Sequence, residues 1–190
     1  LRESLLWKDY PVPEHVTSRN LVIGIPRVLS FWETMPFWTT FFRSLGYQVQ
    51  ISDKSTRKIY ESGLSAVTSD TVCFPAKLVH GHIRNLAEHH VDRIFMPTIT
   101  TVSSENTAST SESMCAIVKG YPIVIRNSDN PEKRFHIPFD APLFHWYRTE
   151  DRNRQLTAYM KDTFDISPDI TKKAIEAADQ AQTSFERQLK

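Results

Sequence analysis

The chain has 190 residues, of which 40% are hydrophobic and 24% charged, with a formal net charge of +1. Such a chain can bury a core without disulfides. Its charge balance gives no electrostatic case for nucleic acid, and no uninterrupted apolar run approaches the ~20 residues of a membrane-spanning helix. Two cysteines cannot build a disulfide framework, so a reducing, cytoplasmic setting is expected. The chain opens Leu1-Arg2-Glu3-Ser4, without Met or a signal-peptide pattern, and residues 170–190 read as a helix running to the last residue. A piece of a longer polypeptide is therefore expected.

Residues 1–20 read as a lead-in, extended around Tyr10-Pro11-Val12-Pro13 because a residue before proline avoids the helical region. Residues 21–190 read as a single α/β domain. Leu21-Val22-Ile23-Gly24-Ile25 suits a buried strand that stops at Pro26. Residues 31–45 place Phe31, Met35, Trp38, Phe42 and Leu45 on one helical face, and Gly46 supplies the stop. Residues 47–51 alternate as a second strand. A polar helix over 55–61 follows, and a third helix spans 75–90. Residues 93–96 form a third strand that Pro97 ends. The Ser/Thr-rich segment 103–113 reads as a loop. The β-branched run 121–125 is expected to be a fourth strand. The proline-bearing stretch 127–145 reads as irregular, and helices near 150–163 and 169–190 close the chain.

Strands alternating with helices predict a Rossmann-like (flavodoxin-like) parallel sheet of about four strands, with helices on both faces and C-terminal helices. Ligands in such sheets sit outside the carboxyl ends of the strands. That rule nominates the loops 26–30, 52–55, 97–103 and 127–130.

Most motifs carry little chemistry. Gly24 stands alone after the first strand, so there is no dinucleotide fingerprint, and there is no Walker-type lysine loop for ATP. His80 and His82 lie two apart on a helix and point to different faces, so they read as surface or helix-face groups. His89 and His90 read as helix C-terminal dipole contacts. The aromatic set Phe31, Trp32, Phe37, Trp38, Phe41 and Phe42 reads as core. Arg27, Asp53 and Lys77 are charged groups near strand ends or helix starts, each read as solvated or as binding an anion. The Ser and Thr residues of 100–113 have no partnered base. The informative stretch is Thr71-Val72-Cys73-Phe74-Pro75-Ala76-Lys77-Leu78-Val79-His80-Gly81-His82. Pro75 can open a helix, which sets Cys73 against the free N–H groups and positive dipole end. That environment favours the thiolate.

The Cys73 stretch, together with Ile23-Gly24-Ile25-Pro26-Arg27-Val28-Leu29, Pro36-Phe37-Trp38 and the run from Phe42 through Leu45-Gly46-Tyr47, resembles a known family. It is similar to the domain of unknown function in activators of (R)-2-hydroxyglutaryl-CoA dehydratase, or CoA-substrate-specific enzyme activases. That domain is related to the iron–sulfur subunits of 2-hydroxyacyl-CoA dehydratases and to double-cubane cluster proteins. The resemblance implies a redox role beside an ATPase activase region of the same polypeptide or a dehydratase subunit. It also implies a [4Fe–4S] or double-cubane cluster held by cysteines at three places. Two of these match Cys73 and Cys115, while the third falls on Thr98. A threonine hydroxyl is a hard, poor ligand for such a cluster, so the resemblance implies a degenerate cluster site.

Three readings follow. In one, Cys73 and Cys115 are metal ligands, with ligands from elsewhere and with Lys77 offsetting the cluster's negative charge. In the second, the domain is a non-catalytic scaffold or docking module for the ATPase region. In the third, it binds acyl-CoA. A Cys73–Cys115 disulfide is the plain alternative for the thiols, and no complete catalytic motif is present.

Overall fold

The computed structural model describes residues 1–14, 16–101, 113–146 and 148–190. The expected loop 103–113 lies outside the described residues except for Ser113, which bridges Thr101. In chain order come α1 (Arg2–Leu6), β1 (Val22–Ile25), α2 (Phe31–Ser44), β2 (Gln48–Ile51), α3 (Arg57–Gly63), α4 (Phe74–Glu88), β3 (Arg93–Phe95) and β4 (Thr98–Ile99). Then follow α5 (Ala116–Ser128), α6 (Pro131–Phe135), β5 (Phe139–Asp140), β6 (Leu143–Phe144), α7 (Thr149–Phe164) and α8 (Pro168–Leu189).

The main sheet has four parallel strands in the order β2-β1-β3-β5. A second, two-stranded parallel pair joins β4 to β6. The sheet grows outward from β1 in both directions, so right-handed crossovers put α2 and α4 on opposite faces. The helices pack accordingly. α2 contacts α1 and α8, with α7 against α8, while α3, α4 and α5 pack together. This is the expected Rossmann-like arrangement. No helix is long and apolar enough to cross a membrane among the described residues.

The core gathers around α2. Phe37, Trp38, Phe41 and Phe42 are fully buried, and Trp38 meets Phe95, Phe144 and Trp146 within 5.6 Å between ring centroids. Trp32, from the same aromatic run, is partly exposed. Pro36 lies inside α2 and has no N–H to offer the Trp32 carbonyl. The Arg2 guanidinium donates to that carbonyl instead, at 3.1 Å. The lead-in thus holds a helix that its sequence did not announce, with Leu6 fully buried against the core. Gly46, at φ +87°, ends α2 as expected.

The main departure lies at 121–125. This run belongs to α5, with Pro122 inside the helix and Tyr121, Pro122 and Ile125 buried. Tyr121 and Ile125 are four apart, so they share a helical face as readily as Tyr121, Ile123 and Ile125 share a strand face. Packing on α4 and β4 decides between the two. The fourth strand of the sheet is β5, inside the stretch read as irregular, and that stretch also holds α6 and β6.

α3 and α4 cross with their backbones in contact. A Cβ at Gly81 would lie 1.9 Å from the Ile59 carbonyl oxygen, and one at Gly63 would lie 2.3 Å from the Gly81 nitrogen. Gly120, in α5, has open space around its missing Cβ. Gly81→Ala is therefore expected to cost about 3 kcal/mol or more by forcing the helices apart. Gly120→Ala should gain about 0.5–1 kcal/mol from helix propensity. Urea midpoints of the two variants check this, and similar midpoints would contradict the crossing.

Candidate functional site

α4 is held by three polar side chains spaced along its length. His80 is fully buried; its Nδ1 lies 2.7 Å from the Asp129 carboxylate and its Nε2 lies 3.1 Å from the Tyr121 hydroxyl. Asp129 is also buried and ion-pairs with Arg134 at 2.7 Å. These contacts fasten α4 to α5. Burial, followed by the nearby Cys73 and Asp129, pushes the Tyr121 hydroxyl up to about 12. Asn85 bonds Asp53 through both its amide nitrogen and its oxygen, at 2.9 and 2.8 Å. The Asn85 amide also holds the Asp53 carboxyl below the usual range. The loop after β2 is thereby stapled to α4, with His89 adding a contact to Asp53 at 3.2 Å.

His82, fully buried, sits between two serines. Its Nδ1 is 2.8 Å from Ser52 Oγ and its Nε2 is 2.9 Å from Ser55 Oγ. The Arg27 backbone N–H donates to Ser52 Oγ at 2.8 Å. Among the described residues His82 Nδ1 is then the acceptor left for the buried Ser52 hydroxyl. The tautomer that leaves no buried hydroxyl hydrogen unpaired has Ser52 donating to Nδ1 and Nε2–H donating to Ser55. Burial, with Arg27 adding to it, depresses His82 to about 4 and keeps the ring neutral. His80 and His82 do face different ways, as their spacing requires. Both are helix-face groups, one of the two expected readings, but they are buried structural links and not surface groups. A two-residue spacing gives direction but not depth, and the partners Ser52, Ser55, Tyr121 and Asp129 are 27 to 49 residues away.

Cys73 is the N-cap of α4 and Cys115 the N-cap of α5. Both thiols are free and exposed, so no disulfide joins them. The amides of Val118 and Ile117 in the first turn of α5 hold the Cys115 thiol below its ordinary value, with smaller help from Lys119. Lys77 directs its ammonium to the Asp70 carbonyl at 2.8 Å, which ties down the loop before α4. Thr98 opens β4, its amide donating to the Pro142 carbonyl at 2.8 Å. The Thr98 side chain is buried and its hydroxyl has no hydrogen-bond partner.

A cleft of about 400 Å³ opens between these helix starts and the ends of the first two strands. Arg27, Val28, Leu29 and Ser30 line it from the β1 loop, and Ser55 from the β2 loop. Pro75 and Leu78 contribute from α4, and Met114 and Val118 from the start of α5. The structure thus brings the neighbourhoods of Cys73 and Cys115 to one cleft, at the carboxyl ends of the strands where open α/β sheets bind ligands. Thr98 lies under α5 but does not line this cleft. Residues 102 and 103 of the nominated loop 97–103 lie outside the described residues, and among the described residues the nominated loops 26–30 and 52–55 reach the cleft. The loop 127–130 does not, because the run before it is helical.

A cubane takes thiolates at its iron corners. Among the described residues no three His, Cys, Asp or Glu side chains gather as a metal site. The two thiols of this chain therefore do not by themselves fit a complete [4Fe–4S] or double-cubane ligand set.

Fold and cleft define a Rossmann-like domain with a cleft at the carboxyl ends of its strands and two exposed cysteines at the N-cap positions of the adjoining helices. A family model described as the CoA enzyme activase uncharacterised domain (DUF2229) matches residues 22–190, and the chain belongs to that family. No curated protein and no solved structure matches it.

The depressed His82 has a consequence for stability. Between pH 6.5 and about 4 the unfolded chain takes up a proton that the folded chain refuses. Stability is therefore expected to fall as pH drops through that window, by up to about 3 kcal/mol. His82→Asn should flatten this slope in urea titrations run at successive pH values. An unchanged slope would show that His82 titrates normally.

Proposed function

We infer that this domain is a thiol-presenting module of a CoA enzyme activase protein. In this reading Cys73 and Cys115 serve an iron–sulfur centre, [4Fe–4S] or double-cubane, whose remaining ligands come from outside this chain. The ATPase activase region of the same polypeptide or a dehydratase subunit is the partner. The supporting observation is that both cysteines are exposed N-cap residues of adjoining helices, and that the neighbouring residues Pro75, Leu78, Met114 and Val118 line one cleft. Cysteine that serves only packing is buried, whereas these two are exposed, and at Cys115 the first-turn amides favour thiolate, the form that binds metal. The role is electron transfer. The centre would supply the redox chemistry, and the chain's own residues supply two soft donors and the positive ends of two helices.

A second reading is a docking module that no longer holds a centre, or one that binds acyl-CoA. It is favoured by Thr98, which stands where the family resemblance expects a third cysteine and is buried outside the cleft.

Anaerobic reconstitution of the full-length protein with iron and sulfide separates the two. The electron-transfer reading expects brown protein containing both elements, with loss of bound iron in Cys73→Ala and in Cys115→Ala. Colourless protein, or iron content indifferent to both substitutions, would leave the docking module as the function.

A further inference from the structure

The cleft is mostly apolar, yet its one hydroxyl from the β2 side is unusually well organised. The Arg27 N–H donates to Ser52 Oγ, and the Ser52–His82–Ser55 contacts continue the chain, with each contact between 2.8 and 2.9 Å. In the tautomer that pairs every buried hydrogen, Ser52 donates to His82 Nδ1 and His82 Nε2–H donates to Ser55 Oγ. Ser52 and His82 are fully buried, so the chain of bonds runs through the interior and ends at exposed Ser55 on the cleft wall. Because Ser55 Oγ already accepts from the imidazole, its own hydrogen is free. Among the described residues no acceptor takes it. Hydrogen bonds in series polarise one another and strengthen the terminal donor.

Arg27 brings positive charge to the same wall. Its guanidinium lies 4.1 Å over the Trp7 ring, and its Nε donates to the Ser52 carbonyl at 3.3 Å. Glu3 is 4.0 Å from Arg27, and Glu33 also lines the cleft. Arg27 favours a negative charge on the ligand, and the acidic groups argue against more than one. Among the described residues Val28 and Leu29 beside Arg27, and Leu78, Met114 and Val118 from the α4 and α5 side, add apolar surface, and the volume suits a small molecule.

We propose that this cleft binds a small monocarboxylate with a compact apolar body, its carboxylate accepting from the Ser55 hydroxyl beside Arg27. The site stands on residues that the iron–sulfur reading does not use, so either can fail alone.

The test is calorimetric titration of the iron-free, full-length protein with cyclohexanecarboxylate and with its neutral amide. The acid is expected to bind, and the amide about tenfold more weakly or not at all. Ser55→Ala, at an exposed position, should weaken the acid about tenfold through loss of a charge-assisted bond. Val118→Trp should abolish binding by filling the cleft, while both variants keep the wild-type circular dichroism. Absence of binding at millimolar ligand would overturn the proposal. Equal affinity for acid and amide, or unchanged affinity in Ser55→Ala, would do the same. Iron uptake by Ser55→Ala is expected to match wild type, which keeps this outcome distinct from that of the cluster experiment.

Discussion

The backbone crossing of α3 over α4 at Gly63 and Gly81 sets the rest of the structure. No side chain fits between the two helices there, so α4 lies close under α3. From that position α4 can reach three neighbours with short polar side chains. His80 meets α5, His82 meets the serines after β2, and Asn85 meets Asp53. Each is a buried or half-buried polar link, costly to break because the partner would be left unsatisfied. Together they fix where α4 starts, and so where Cys73 stands.

The same links explain why the cleft can be both apolar and selective. Hydrophobic walls alone would accept any greasy body. The interior relay from Arg27 through Ser52 and His82 delivers one oriented donor to the surface without placing a titrating group there, because burial keeps the imidazole neutral. α5 contributes differently. Its first-turn amides act on Cys115 directly, and Asp129 at its far end closes the link to His80. One helix thus carries a thiol at its start and an anchor at its end.

Much of this was legible in the sequence, and the failures have physical causes. β1, α2, β2, α4 and β3 announced themselves through apolar period, Pro and Gly, because β1, α2, α4 and β3 bury side chains in the core and β2 half-buries Val49 and Ile51 against it. Cys73 and its helix start were readable from Pro75 alone. The run 121–125 misled because a β-branched segment with a proline opposes helix on propensity, and only packing against α4 and β4 overrules it. β4, β5 and β6 are two residues each, too short for any alternation to show. The polar links were invisible for another reason. A buried histidine and a surface histidine look alike in sequence, and their partners lie on other elements. The Cys115 position was legible only through the family resemblance, since the helix it caps was itself misread.

The account rests on α4 and α5 bringing their first turns, and with them the exposed thiols of Cys73 and Cys115, to one cleft. The direct measurement is dipolar broadening in the continuous-wave electron paramagnetic resonance spectrum of nitroxides attached to Cys73 and Cys115. The doubly labelled protein should show broadening absent from the sum of the two singly labelled ones. A doubly labelled spectrum identical to that sum would place the thiols too far apart to share a site, and would contradict the account.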